Sequence, residues 1–173
     1  MIRIGDILHM TEQELEQSKY AKKAMELFSQ GYNCSQSVFL AFSDLHGIDK
    51  KVAARLTSSF GGGMGRLREV CGSVSGMFMV AGVLYGYDDP KAIEQKTEHY
   101  KRIQELATRF QEENHSIVCR ELLGLGEGKD SYVPSERTKE YYKKRPCKIL
   151  VGMAAYYMEE YIKEYPIENG GIH

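Results

Sequence analysis

The sequence predicts an all-α protein: apolar residues recur at helical spacing, capping residues and glycines bracket the periodic segments, and no segment of strand-like alternation interrupts them. With 173 residues, 42% of them hydrophobic, one domain over 1–173 can bury a sizeable core, leaving polar termini at about 1–10 and 165–173. The first helix is read from Thr11 to Gln30, with Leu15, Ala21, Ala24, Met25 and Phe28 as its apolar face. Thr11 and Glu14 form a capping box there, and Gly31 ends the helix. Asn33 then caps a second helix through Val38, Phe39, Ala41, Phe42 and Leu45 to Gly47, and Asp49 caps a third, Val52 to Phe60. Gly61-Gly62-Gly63-Met64-Gly65 is a loop, because each Gly costs about 1 kcal/mol relative to Ala within a helix.

Val70 to Tyr87 carries no charge and forms a buried central helix, at about residues 70–87, since a helix apolar all round belongs in a core or a membrane. Its Cys71, Ser73, Ser75 and four glycines argue for a core, and the spacings Gly72/Gly76 and Gly82/Gly86 would let neighbouring helices approach closely. Pro90 is expected at the first position of a long amphipathic helix that runs to about Glu113, carrying Ile93, Leu106, Ala107 and Phe110. Ser116 caps a short helix with Cys119, Leu122 and Leu123 that stops at Gly124. Leu125 to Ser135 has no helical period and reads as a mobile loop able to gate Cys119. Pro146 opens the last helix, Cys147 to about Lys163, with Ile149, Leu150, Met153, Ala154, Tyr157 and Tyr161 buried.

A formal net charge of −1 gives no electrostatic reason to expect nucleic acid or an anionic membrane as partner, and no membrane insertion is expected. The polar start Met1 to Asp6 does not resemble a signal peptide, so the expected location is cytoplasmic. In that reducing compartment, cysteines are thiols, ligands or catalytic groups rather than structural bridges.

There are four cysteines, and Cys34, Cys71, Cys119 and Cys147 each fall at a helix start. The positive end of a helix dipole stabilises a thiolate, the form that attacks disulfides and binds soft metals. Each cysteine alone is more simply a buried space-filler, but four in matching contexts, one per helix, can converge where helix ends meet. The chain has no C-x-x-C, which leaves thioredoxin-type, zinc-knuckle and covalent-haem motifs unsupported.

Asn33-Cys34-Ser35-Gln36, Phe60-Gly61-Gly62-Gly63-Met64-Gly65, Cys71-Gly72-Ser73-Val74-Ser75-Gly76, Cys119 to Gly124, and Cys147 ahead of an apolar helix are similar to the motifs of the C_GCAxxG_C_C family. The resemblance runs from about Ala21 to Tyr161, close to the whole chain. Cys71 precedes Gly72 instead of following a glycine, and Ser73 stands where the family name has Ala. The resemblance implies a small helical, redox-active protein.

Beside the cysteines, the glycine run lacks the Gly-Lys-Ser/Thr ending of a P-loop. Gly61, Gly62 and Gly63 are read as backbone passing close to the Cys71 helix or to a cofactor, with Met64 as an apolar lid. Arg66 and Arg68 are candidates to offset thiolate charge. His46 and His99 are read as surface histidines, His115 is a further candidate ligand or proton carrier, and the tyrosines around Tyr141, Tyr142, Tyr156, Tyr157 and Tyr161 as packing for the last helices.

Three functions compete. The first holds an iron–sulfur cluster, or zinc, on Cys34, Cys71, Cys119 and Cys147 for electron transfer with a redox partner. In the second, no cofactor is bound and Cys71 attacks a disulfide with Cys119 as the other catalytic thiol. The third is a non-enzymatic helical module. Homo-oligomer formation stays open under all three.

Overall fold

Side-chain caps set several of the helix starts. The computed structural model describes residues 10–128 and 130–168. Its first helix, α1 (Glu12–Leu15), carries the expected Thr11/Glu14 capping box. The single helix expected over 11–30 is divided: α2 (Lys19–Ser29) begins at its own cap, where the Ser18 hydroxyl accepts from the Ala21 amide. Ser18 also donates to Glu159, which accepts the Tyr20 amide at 3.2 Å. A buried carboxylate from the far end of the chain therefore fixes the break.

Asn33 and Gln36 form a second capping box at the head of α3 (Cys34–Ala41). A kink at Phe42 separates α4 (Ser43–His46), which Gly47 ends with φ +62°. Asp49 accepts from the Lys51 and Val52 amides and caps α5 (Lys50–Thr57), followed by a 3-10 turn over Ser58–Phe60. Gly61–Met64 (α6) is one turn whose residues from Gly62 wind left-handed. α7 (Gly72–Tyr85) is the uncharged helix, Gly86 ending it. None of the described helices is long and apolar enough to cross a membrane.

The amphipathic helix α8 (Ile93–Asn114) starts three residues later than expected. Pro90 lies outside it in a turn closed by Asp89, whose carboxylate accepts the Lys91 amide at 2.9 Å. After it come α9 (Cys119–Leu122), α10 (Lys139–Lys144), which the sequence reading passed over although Thr138 caps it, and α11 (Cys147–Glu164).

Helices α2, α3, α7 and α11 form the central bundle, and α8 lies against α7 and α11. Phe28, Val38, Phe39, Phe42, Val74, Met77, Met153 and Met158 fill the middle with essentially no exposure. Helices α3 and α7 approach each other closely. A Cβ on Gly76 would stand 2.8 Å from the Ser35 carbonyl and 3.0 Å from Val38 Cβ, and one on Gly72 would stand 3.0 Å from Cys34 Cβ. The expected Gly72/Gly76 face is thus a contact face. Gly82 is different, since a Cβ there would meet nothing within 4 Å.

Two histidines expected at the surface are buried. His46 is 2% exposed and stacks on Phe39, and His99 is 9% exposed. The Ile48 amide donates to His46 Nδ1 at 3.1 Å, so Nε2 carries the hydrogen and faces the Phe39 carbonyl at 2.9 Å. Burial pushes the His46 pKa down.

Gly76→Val should overpack the α3–α7 contact and lower unfolding free energy by about 1–3 kcal/mol, whereas Gly82→Ala should raise it by about 0.5–1 kcal/mol; urea midpoints measure both. Because His46 has a lower pKa folded than unfolded, the unfolded chain takes up more protons as pH falls below about 6.5. Stability contributed by the neutral ring is full above that pH and is lost on acidification, so the urea midpoint should fall between pH 7.5 and pH 5.5, and less so in His46→Gln.

Candidate functional site

Each cysteine stands at a helix start. Cys34, Cys119 and Cys147 are first residues of α3, α9 and α11, and Cys71 is the residue before α7. The helix starts meet around one cavity of about 260 Å³, and all four cysteines line it. Cys71, Cys119 and Cys147 are 5%, 7% and 8% exposed, Cys34 is partly exposed, and none of the four is in a disulfide.

Three local devices position them. The first is the glycine contact, which seats Gly72 against Cys34 and so puts Cys71 beside the head of α3. The second is a short antiparallel bridge between Val70 and Val118. The Cys71 amide donates to the Ile117 carbonyl at 2.7 Å and the Cys119 amide to the Glu69 carbonyl at 2.6 Å, which locks the two cysteine segments in register. The third is the left-handed turn. A Cβ on Gly63 would stand 2.6 Å from Cys119 Cβ and 2.9 Å from the Arg68 backbone, and its φ of +67° already excludes most side chains. Past this turn Met64, Arg66 and Arg68 also take positive φ, at 65°, 69° and 61°, a conformation that costs non-glycine residues roughly 1–2 kcal/mol each. The strain aims the arginine side chains. Gly61, Gly62, Gly63 and Arg66 line the cavity, while Met64 does not.

The electrostatics of the cavity are one-sided. Arg66, Arg68, Arg137 and Arg145 line it, and among the described residues no Asp or Glu does. Arg68, 2% exposed, donates from Nη1 to Cys119 Sγ at 3.6 Å. On its other side Asp130 accepts from Arg68 Nε at 2.7 Å and lies 3.1 Å from Arg66 Nη2. Arg137 donates to the Phe28 and Tyr32 carbonyls and lies over Phe28 and Tyr141, and Arg145 lies over the same Tyr141 ring at 5.1 Å. The sequence reading missed Arg137, Tyr141, Arg145 and Asp130. The first three recur every fourth residue, a helical stripe that could have drawn attention to them.

Burial outweighs the helix-start effect on the free thiols. Desolvation pushes the Cys71 thiol up to about 12, with the Ser73 hydroxyl and amide working the other way. Cys119 is also raised by burial, against the pull of Arg68. Cys34 lies well above its ordinary range, first through a hydrogen bond with the Cys147 thiol and then through burial. Among the described residues, no group of three or more His, Cys, Asp or Glu side chains is drawn together as for a single bound metal ion.

The described residues of 125–135 are irregular and mostly exposed, and Tyr132, Pro134 and Ser135 reach the cavity. Arginines tie it down. Besides the Asp130 pairs, Arg66 donates to the Ser131 carbonyl, and Arg120 to the carbonyls of Gly126 and Gly128. Asp130→Ala would leave the Arg68 guanidinium without its carboxylate; it should lower the urea midpoint and speed amide hydrogen exchange across 130–135, read by mass spectrometry.

No curated protein and no solved structure matches the chain. A family model does, over residues 32–161, a span that takes in all four cysteines, the left-handed turn and the cavity arginines. The chain therefore belongs to the family described as "Putative redox-active protein (C_GCAxxG_C_C)".

Proposed function

We propose that this protein is an electron carrier in which Cys34, Cys71, Cys119 and Cys147 hold an iron–sulfur cluster. The observation that carries the reading is the cavity itself: four thiols and four guanidinium groups share its wall and, among the described residues, no carboxylate does. Four thiolates bring four negative charges into a buried space, where unbalanced charge costs several kcal/mol, and the arginines offset it. The donor set matches the all-cysteine coordination of such clusters, which supply one-electron transfer when bound. A lone zinc ion would need all four sulfurs at about 2.3 Å from one point, and the spread of thiols around a cavity of about 260 Å³ suits a larger inorganic core better.

The protein's own residues would do the rest. Arg68 holds its guanidinium on Cys119, Arg137 and Arg145 line the cavity with Tyr141, and the Asp130-tied segment narrows the way in for water. A cationic wall raises the tendency of the site to accept an electron.

A second reading rests on Cys34 and Cys147, which line the same cavity at the heads of α3 and α11, Cys147 helping to raise the Cys34 thiol. These thiols could cycle with a disulfide: two S–H bonds break, one S–S bond forms, and two electrons and two protons pass to an oxidised disulfide partner. Anaerobic purification separates the two. The expected outcome is iron with acid-labile sulfide and a broad visible absorption, with iron content reduced at least about tenfold in each Cys→Ser variant at 34, 71, 119 and 147. Protein free of iron that forms a Cys34–Cys147 disulfide with diamide would assign the second reading. A protein doing neither would overturn both.

A further inference from the structure

Between Asp49 and Glu69 the chain carries five basic residues, Lys50, Lys51, Arg55, Arg66 and Arg68, and no acidic one, although its net charge is −1. Arg66 and Arg68 are paired with Asp130. Lys50, Lys51 and Arg55 are exposed and, among the described residues, have no carboxylate partner. The same short helix exposes two large apolar residues one turn apart, Val52 and Leu56, each 56% exposed, and Leu67 beyond the left-handed turn is 66% exposed. Apolar side chains set among unpaired cations have the make-up of a protein interface rather than of an ordinary solvated helix.

Position gives this face its meaning. Two residues past Leu56, the exposed Ser58 lines the four-cysteine cavity, and its carbonyl accepts from Asn33, the cap of the Cys34 helix, at 3.1 Å. The wall of the cavity thus reaches solvent at the end of α5. From there the chain turns through Gly61–Met64 to Arg68 on Cys119.

We infer that the α5 face, centred on Lys51, Val52, Arg55 and Leu56, docks an acidic electron-transfer protein against the cavity wall. Carboxylates on the partner would meet Lys50, Lys51 and Arg55, and an apolar patch would cover Val52 and Leu56. Such charge pairing raises the encounter rate and orients the partner, while the apolar centre supplies most of the affinity. The inference deepens the electron-carrier reading and rests on it, so its test has one arm that needs no cofactor.

A plant-type acidic ferredoxin serves as the probe. Carbodiimide joins a lysine amine to a carboxylate in contact with it, and mass spectrometry of the cross-linked pair should place the links at Lys50 and Lys51. The cross-link should be lost in Lys51→Glu/Arg55→Glu and kept in Lys101→Glu, which alters an exposed charge on α8. Links spread evenly over the surface lysines, or unaffected by the double reversal, would overturn the docking face whatever the iron content. In the second arm, the reduced probe should reduce iron-loaded double-reversal protein at least about tenfold more slowly than wild type at low ionic strength, with the gap closing as salt is added. Val52→Ser/Leu56→Ser should slow the reaction at every salt concentration. Equal rates in all variants would overturn the inference, whereas absence of iron from the wild type would overturn the electron-carrier reading and leave the cross-linking arm to judge the face.

Discussion

The site depends on the approach of α3 to α7 without side chains between them. Gly72 and Gly76 let the α7 backbone rest on Ser35 and Val38, and nothing larger fits between the two helices there. That contact sets the distance from the head of α3 to the head of α7, and so from Cys34 to Cys71. The same economy recurs at Gly63, whose missing side chain admits Cys119. Glycine is here a spacing device: at three points a single methyl group would push a cysteine-bearing segment away from its neighbour.

Charge is arranged around that frame with similar dependence of one part on another. The arginines facing the thiols are not free to leave. Arg68 is held by Asp130 behind it, Arg137 by two carbonyls and three aromatic rings, and the strained backbone between Gly62 and Arg68 sets the direction from which Arg66 and Arg68 enter. Backbone strain of this kind persists only where surrounding contacts fix it, and here those contacts are the bridge at Val70 and the pairs with Asp130.

How much of this the sequence discloses follows the range of the interactions. Helix starts governed by local caps, at Thr11, Asn33 and Asp49, are legible because donor and acceptor lie within three residues of each other. So are the positions of the four cysteines at helix starts and the use of Gly72 and Gly76. The break at Ser18 is not, since its partner Glu159 lies 141 residues away. The hand of the glycine turn escapes for a related reason: glycines mark a departure from right-handed helix, but the direction is chosen by Cys119 and Arg68 packing against Gly63. His46 and His99 misled because polarity suggested the surface, while partners inside satisfy the rings. Gly82 matched the spacing of a contact face, yet no helix packs against it.

The separation of Cys34 from Cys147 along the chain links the chemistry of the cavity to the lifetime of the fold. Joining these two residues, whether through a shared inorganic core or directly, closes a loop of about 110 residues and removes roughly 4–5 kcal/mol of chain entropy from the unfolded state. That is comparable to the whole net stability of many domains. A cell that lets the connection lapse would therefore also lower the barrier to degradation of the chain, so that the protein's abundance would report the state of its own site.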